Sequence, residues 1–310
     1  MSTNARYTTA ADAMTGWRDG VLSGTAPVLH AVGTGAMNRV ELGPGRVVLI
    51  GGLPGGGKSA LAMQFVVDAL RNDETLRAVV CNVEMTPGVL LDRQLARLSG
   101  VPLDAIARRR LDASHAERID RGMATLESVA ERLAFVETRY DLGNVAATAD
   151  DFGGSLLVLD YLQRIGPKGQ HNDKRGRVDE LMDYLRQFAD AGCAVLCVSA
   201  VARSKDRVGR STYDGETLNL ASFRESSELE YGADSAYVLV PDEGDTVNLR
   251  CLKHRHGEPM DVAMRFDRRL QRFSPLDPTP TGSVRTATMT KLAALWNRTP
   301  AAGDDDGDGA

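Results

Sequence analysis

Gly52-Leu-Pro-Gly-Gly-Gly-Lys58-Ser59 places four spacer residues between two glycines and then a lysine and a serine, which is the pattern of a phosphate-binding loop. Glycines let successive backbone N–H groups turn inward without a Cβ in the way, and the helix N-terminus that follows adds partial positive charge. Lys58 would reach the β- and γ-phosphates as a point charge, while the Ser59 hydroxyl would hold Mg²⁺. Gly52, Pro54, Gly55, Gly56, Gly57, Lys58, Ser59 and Ala60 are therefore the candidate contacts to a nucleoside triphosphate. The flanks agree. Arg46 to Ile50 is a short apolar run suited to a buried strand, and Leu61, Phe65 and Ala69 follow at helical spacing.

Working outward, strand-like runs alternate with helical patterns from Ala78 to Phe273. This predicts an α/β fold of the P-loop kind, with a mostly parallel twisted sheet and helices on both faces. The strand candidates after the loop are Ala78–Val83, Leu133–Val136, Ser155–Asp160, Ala194–Val198, Ala236–Val240, Val247–Leu252 and Val262–Phe266. No long helical pattern separates the last three, so an antiparallel extension is expected at one end of the sheet. Val178, Leu181, Met182, Leu185 and Phe188 form one stripe of a helix over Val178–Ala189. Three segments follow: an arm over residues 1–32, a motor-sized domain over 33–275 and an acidic, disordered tail over 276–310. In the arm, Ala10, Met14, Trp17 and Val21 suit an amphipathic helix that either folds back or docks on a neighbouring subunit. In the tail, Met289, Leu292 and Trp296 suit either a helical turn that docks on a partner or, more readily, a loosely packed end segment.

Of 310 residues 43% are hydrophobic, enough for a full core, and no apolar run reaches bilayer length. With no signal-peptide pattern the chain is expected in the cytoplasm, without a membrane partner. Cys81, Cys193, Cys197 and Cys251 lie in strand-like runs, as buried reduced thiols do. The formal net charge is −5, but Asp304, Asp305, Asp306 and Asp308 of the tail carry four of those negatives, so charge overall decides nothing about nucleic acid. Two local segments are strongly basic. Arg164, Lys168, Lys174, Arg175 and Arg177 stand against Asp173 alone, and Arg203, Lys205, Arg207 and Arg210 against Asp206 alone. Both contain glycine and lack an apolar stripe, as a loop tracking single-stranded DNA phosphates would, or equally a solvated surface loop. Tyr213 is the one aromatic near them that could stack on a base. The five histidines have no zinc-site spacing and no serine sits in a nucleophile elbow.

Leu156-Leu-Val-Leu-Asp160 delivers a carboxylate at the end of a buried strand, where Asp160 could join Ser59 around Mg²⁺. Glu84 stands just past the Ala78 run, placed either to take a proton from the attacking water or to cap the helix starting near Pro87. From roughly Gly33 to Phe273 the chain resembles the RecA-like ATPase domain of DnaB-type replicative helicases. The resemblance rests on Asp160-Tyr161-Leu162-Gln163, on Val83-Glu84-Met85, on Phe223-Arg224-Glu225-Ser226 with Ala233-Asp234 after it, and on Lys253-His-Arg255-His-Gly257. It implies that Glu84 is the general base and that Lys253 and Arg255 act on the neighbouring subunit's nucleotide. It also implies a homo-oligomeric ring, of hexamer type, around single-stranded DNA. Without it, Lys253 and Arg255 would read as a solvated basic edge strand. Two departures stand out. Ser199-Ala200 replaces the family's Ser-Gln, whose amide senses the γ-phosphate, although Arg203 still stands where that motif ends in arginine. Ahead of Gly33 only the short arm appears, in place of the helical domain that contacts primase, so the arm or the tail is expected to meet a protein partner. An ATP-driven helicase or translocase is thus expected; a nucleotide-dependent regulatory ATPase that does not unwind DNA, and a recombinase-like filament protein, remain alternatives.

Overall fold

Every residue of strand β1 (Val47–Gly52) is buried, and parity divides its side chains between two cores. Val48 and Ile50 join the cluster containing Leu61, Phe65 and Ala69 of helix α2 (Lys58–Asn72), while Val47 and Leu49 join the one containing Leu181 and Leu185 of α7 (Lys174–Asp190). Helices thus cover both faces, which is why the strands read as unbroken apolar runs. Each fully buried Leu, Val or Phe contributes roughly 1.5–3 kcal/mol relative to exposure.

The computed structural model describes residues 7–166, 174–201, 204–205, 211–212, 223 and 232–276. Besides those above, the elements are α1 (Ala10–Ser23), β2 (Ala78–Asn82), α3 (Pro87–Ser99), α4 (Leu103–Ala107), α5 (Ala116–Ala130), β3 (Leu133–Phe135), α6 (Leu142–Phe152), β4 (Leu156–Asp160), β5 (Ala194–Ala200), β6 (Ser204–Lys205), β7 (Ser211–Thr212), β8 (Ser235–Pro241), β9 (Thr246–His254), β10 (Val262–Asp267) and β11 (Arg272–Pro275). Among the described residues nine strands form one sheet in the order β11-β10-β9-β8-β1-β5-β4-β2-β3. From β8 to β3 neighbours pair in parallel; β9, β10 and β11 add antiparallel strands at the β8 edge. The expected extension is there, but β8 itself runs parallel to β1, and the extension gains β11, which had no sequence signal. A third, smaller core joins α3 to α5 through Leu95, Ala96, Ile106 and Leu126.

Helix α1 begins at a capping box between Thr9 and Asp12 and ends at Gly24 in the left-handed region. Its stripe is uncovered: Met14, Trp17 and Val21 are each more than half exposed. Packing into the core begins at His30, which bridges Leu42. The expected turn at Met289–Trp296 and the acidic tail lie outside the described residues. Cys81 and Cys197 are buried, Cys193 and Cys251 half-buried, and all four are free thiols; burial pushes the Cys81 thiol up to about 12. No helix among the described residues is long and apolar enough to cross a membrane.

Candidate nucleotide and nucleic-acid site

The loop after β1 turns through Gly55 and Gly57, both at positive φ, and a Cβ on Gly57 would meet the rings of Phe266 and Phe273 at 2.8 Å. Those rings stack 4.1 Å apart and wall the loop from β10 and β11. Gly57 caps α2 with no side-chain partner, so the first N–H groups of the helix are left for an anion. Lys58 Nζ donates to the carbonyls of Gly52 and Leu53, at 3.0 and 2.9 Å, and is held across the mouth of the loop. Burial lowers the pKa of its ammonium, with Asp160 and Glu84 opposing.

Pro54, Gly55, Gly57, Lys58, Ser59, Glu84 and Asp160 line one cleft of 860 Å³. Gly52, Gly56 and Ala60 are not in that lining; they lie at the end of β1, in the loop and in the first turn of α2. Asp160 ends β4 and is buried. Burial raises its pKa, against a hydrogen bond from Ser59 and the charge of Lys58. A hydroxyl and a carboxylate side by side are a hard-oxygen donor set that suits Mg²⁺, which takes few protein ligands and fills the rest with phosphate and water. Asn82 organises the opposite wall. Its Nδ2 donates to Asp160 Oδ2 at 2.7 Å, and its Oδ1 accepts from the main chain of Glu84 at 3.0 Å and Met85 at 2.8 Å. Glu84 therefore sits in an Asx turn tied to Asp160 rather than serving as the cap of α3, whose N-cap is Thr86. Arg93 of α3 lines the same cleft, and its buried Nε finds no acceptor among the described residues.

Arg255 is elsewhere. It is the first residue after β9, and its Nη1 lies 2.8 Å from Oδ1 of buried Asp234. The other oxygen of Asp234 accepts from the N–H of Val47 at 2.8 Å and from Arg186 Nη1 of α7 at 2.6 Å. Val47 begins the strand that Gly52 ends, so Arg255 is separated from its own phosphate loop by the length of β1, about 16 Å. Lys253, opposite Ala236 in β9, is near the same edge. For Asp234, burial raises the pKa, but the Val47 N–H and the two guanidiniums outweigh it and the net direction is down.

Where they are described, the two basic segments differ from the loops expected. Arg164 closes a 3-10 turn (Leu162–Arg164) and lines the nucleotide cleft. Lys174, Arg175 and Arg177 lie in the first turn of α7 rather than in a loop, since lysine and arginine are good helix formers. Lys205 belongs to β6, which pairs antiparallel with β7 in a two-residue ladder too short to show alternation. Lys168, Arg203, Arg207, Arg210 and Tyr213, with the Arg224-Glu225-Ser226 part of the family-like motif, lie outside the described residues. At Ala200, which lines the cleft, the neighbouring amide comes from Gln163. Its Nε2 donates to Ser199 Oγ at 2.7 Å and its Oε1 accepts from Ala200 N at 3.3 Å, latching the end of β4 to the end of β5. Asn82, Arg93, Arg268 and Gln271 had no sequence signal. The last two sit in the β10–β11 turn, where Arg268 donates to the Gly55 carbonyl at 3.0 Å.

Residues 37–275 match the family model described as the DnaB-like helicase C terminal domain. A probable plasmid replicative DNA helicase of Chlamydia trachomatis is 23% identical over 244 residues, which is 76% of this chain and 52% of that protein. The replicative DNA helicase DnaB of Leifsonia xyli subsp. xyli is 24% identical over 253 residues, 76% and 53% of the two chains. The chain thus spans about half the length of the curated relatives it matches. Among solved structures, one described as an ATPase domain superposes with a TM-score of 0.76 at 17% identity, covering 87% of this chain and all of that one. A DnaB-like replicative helicase, described with its interactions with primase, gives 0.73 at 17%, covering 88% and 68%. At such identities the superpositions speak for the fold, and it is the RecA-like α/β sheet expected from the sequence.

Proposed function

Because the chain belongs to the DnaB-like helicase C-terminal domain family, we propose that it is an ATP-hydrolysing DNA helicase or single-strand translocase that works as a ring of identical subunits, of hexamer type. The observation that carries this is the convergence of Lys58, Ser59, Glu84 and Asp160 on one cleft, with Arg255 tethered at the far end of β1. In this reading the loop from Gly52 to Ala60 cradles the triphosphate, and Lys58 leaves its carbonyl partners to offset charge on the β- and γ-phosphates. Ser59 and Asp160 would hold Mg²⁺, which when bound would supply Lewis-acid polarisation of the phosphate oxygens. Glu84 accepts the proton of the attacking water, oriented by Asn82 through the main chain. Arg255, with Lys253, stabilises the transition-state charge on an adjacent subunit's nucleotide. Single-stranded DNA would be held by Lys168, Lys174, Arg175, Arg177, Arg203, Lys205, Arg207 and Arg210. Arg164, lining the cleft, is the one member of that set the geometry favours for the nucleotide side.

The test is steady-state ATP hydrolysis at low salt with and without single-stranded DNA. We expect DNA to stimulate turnover, Lys58→Ala to abolish it, and Glu84→Gln to bind ATP while losing about 10²–10⁴ in rate. Full turnover by Glu84→Gln would remove the general-base role. Ala200 supports a second reading, a regulatory ATPase on DNA or a partner protein, and hydrolysis indifferent to DNA would select it.

A further inference from the structure

Away from the nucleotide cleft, a second cavity of 580 Å³ opens between α2, α3, α5 and β11, and the two share no lining residue. Its charged walls are Asp68 and Arg71 of α2, Arg97 of α3 and Arg272 of β11, three guanidiniums against one carboxylate. The single carboxylate is already shared: Asp68 Oδ1 lies 2.9 Å from Arg97 and 3.4 Å from Arg71. Arg97 is the unusual member. Only 6% of its side chain is exposed, its Nε is bonded to Gln94 Oε1, its Nη1 to Asp68, and its Nη2 finds no acceptor among the described residues. Gln94 Nε2, on the same bonded pair, is equally without one. Burial is the largest influence on Arg97 and lowers its pKa; Asp68 opposes, and the charges of Arg71 and Arg272 add to the lowering. A buried guanidinium with an unmet donor, in a cavity with net positive charge, is stabilised by an acceptor that carries negative charge. Arginine forks match the oxygens of phosphate, and Thr34 and Gln64 add polar wall.

We propose that this cavity is a second anion site, built to take a phosphate group between Arg71, Arg97 and Arg272. It lies roughly 14 Å along α2 from Ser59, too far for one triphosphate to occupy both. It is also mechanically close to the cleft. Gln64 pairs with both main-chain groups of Phe273, at 2.9 Å each, and Arg272 directly follows Gln271, which lines the nucleotide cleft. An anion on Arg272 therefore bears on the turn that carries Arg268 and Gln271. The proposal does not depend on the motor reading, since its assay removes the phosphate-loop lysine.

Inorganic pyrophosphate is titrated calorimetrically into full-length Lys58→Ala protein at low salt. We expect one saturable site per chain, weakened about tenfold by Arg71→Ala or by Arg272→Ala, and lost in the double variant. Both arginines are on the surface, Arg71 about half exposed, so their removal should leave the fold intact, whereas Arg97→Ala disturbs a buried pair and serves only as a second check. The thermal denaturation temperature of the Lys58→Ala protein should rise with pyrophosphate above its value in chloride of equal ionic strength, and that rise should vanish when Arg71→Ala and Arg272→Ala are added. Absence of saturable binding, or binding that the Arg71→Ala/Arg272→Ala change leaves unaltered, overturns the site.

Discussion

Asp234→Asn tests the tether that holds Arg255 at the edge of the sheet. The carboxylate is 3% exposed and receives three hydrogen bonds, from the Val47 N–H, Arg186 and Arg255, with His256 a further 3.7 Å away. Asparagine keeps the volume and one acceptor, but sets an amide NH₂ against a guanidinium donor. Arg255 is nearly half exposed, so solvent screening leaves its share at roughly 0–1 kcal/mol; Arg186, 29% exposed, keeps more, about 1–2 kcal/mol. The variant should therefore lose about 2 kcal/mol at neutral pH. The sign of the pH dependence follows from the direction of the pKa. Asp234 titrates below an ordinary carboxyl when folded, so its contribution is present above the unfolded value near 3.9 and is lost as pH falls through the folded value. Urea denaturation at pH 7.5 should separate wild type from variant, and the gap should close below about pH 4. A gap that stays constant across that range, or is absent at pH 7.5, refutes the tether.

Mixing Arg255→Ala subunits with wild type should depress DNA-stimulated hydrolysis out of proportion to their fraction; a strictly linear loss would mean independent sites. Lys174→Ala with Arg175→Ala should weaken single-strand affinity and flatten the salt slope by about one per phosphate contact removed, with basal hydrolysis unchanged, and an unaltered slope moves the DNA path elsewhere. Gly57→Ala should cost both stability and nucleotide affinity, because the residue sits at φ 95° with Phe266 and Phe273 in the way, and wild-type ATP binding by that variant would contradict the packing.

Much of the sheet was legible because its signals are local. The strands at β1, β2, β4, β5 and β8 are apolar runs of the right length, β9 and β10 interleave apolar with polar residues, and the loop at Gly52–Ser59 carries its pattern within eight residues. What was not legible depends on partners far away in sequence. β11 has one buried residue, Phe273, and exists because β10 offers it an edge. Asn82 looks like any strand-terminal polar residue until β4 brings Asp160 beside it. Arg93 and Arg97 look like the polar face of an amphipathic helix, yet one lines the cleft and the other is buried against Asp68. The basic segments were legible as charge but not as structure, since charge carries no period.

The direction of β9 explains why one chain would need another. Parallel strands deliver their following residues to one edge of the sheet, and β1, β2 and β4 bring Lys58, Glu84 and Asp160 together there. An arginine at the end of a further parallel strand would join them and complete the site within the subunit. β9 runs antiparallel to β8, so its end pairs with Ser235, and Arg255 arrives where the parallel strands begin, beside Val47. No side-chain rotation crosses the intervening length of β1. A catalytic role for Arg255 therefore requires a second copy whose cleft faces this edge; in that arrangement Asp234 would hold the guanidinium in place, and Arg186 would still neutralise the buried carboxylate if Arg255 left it.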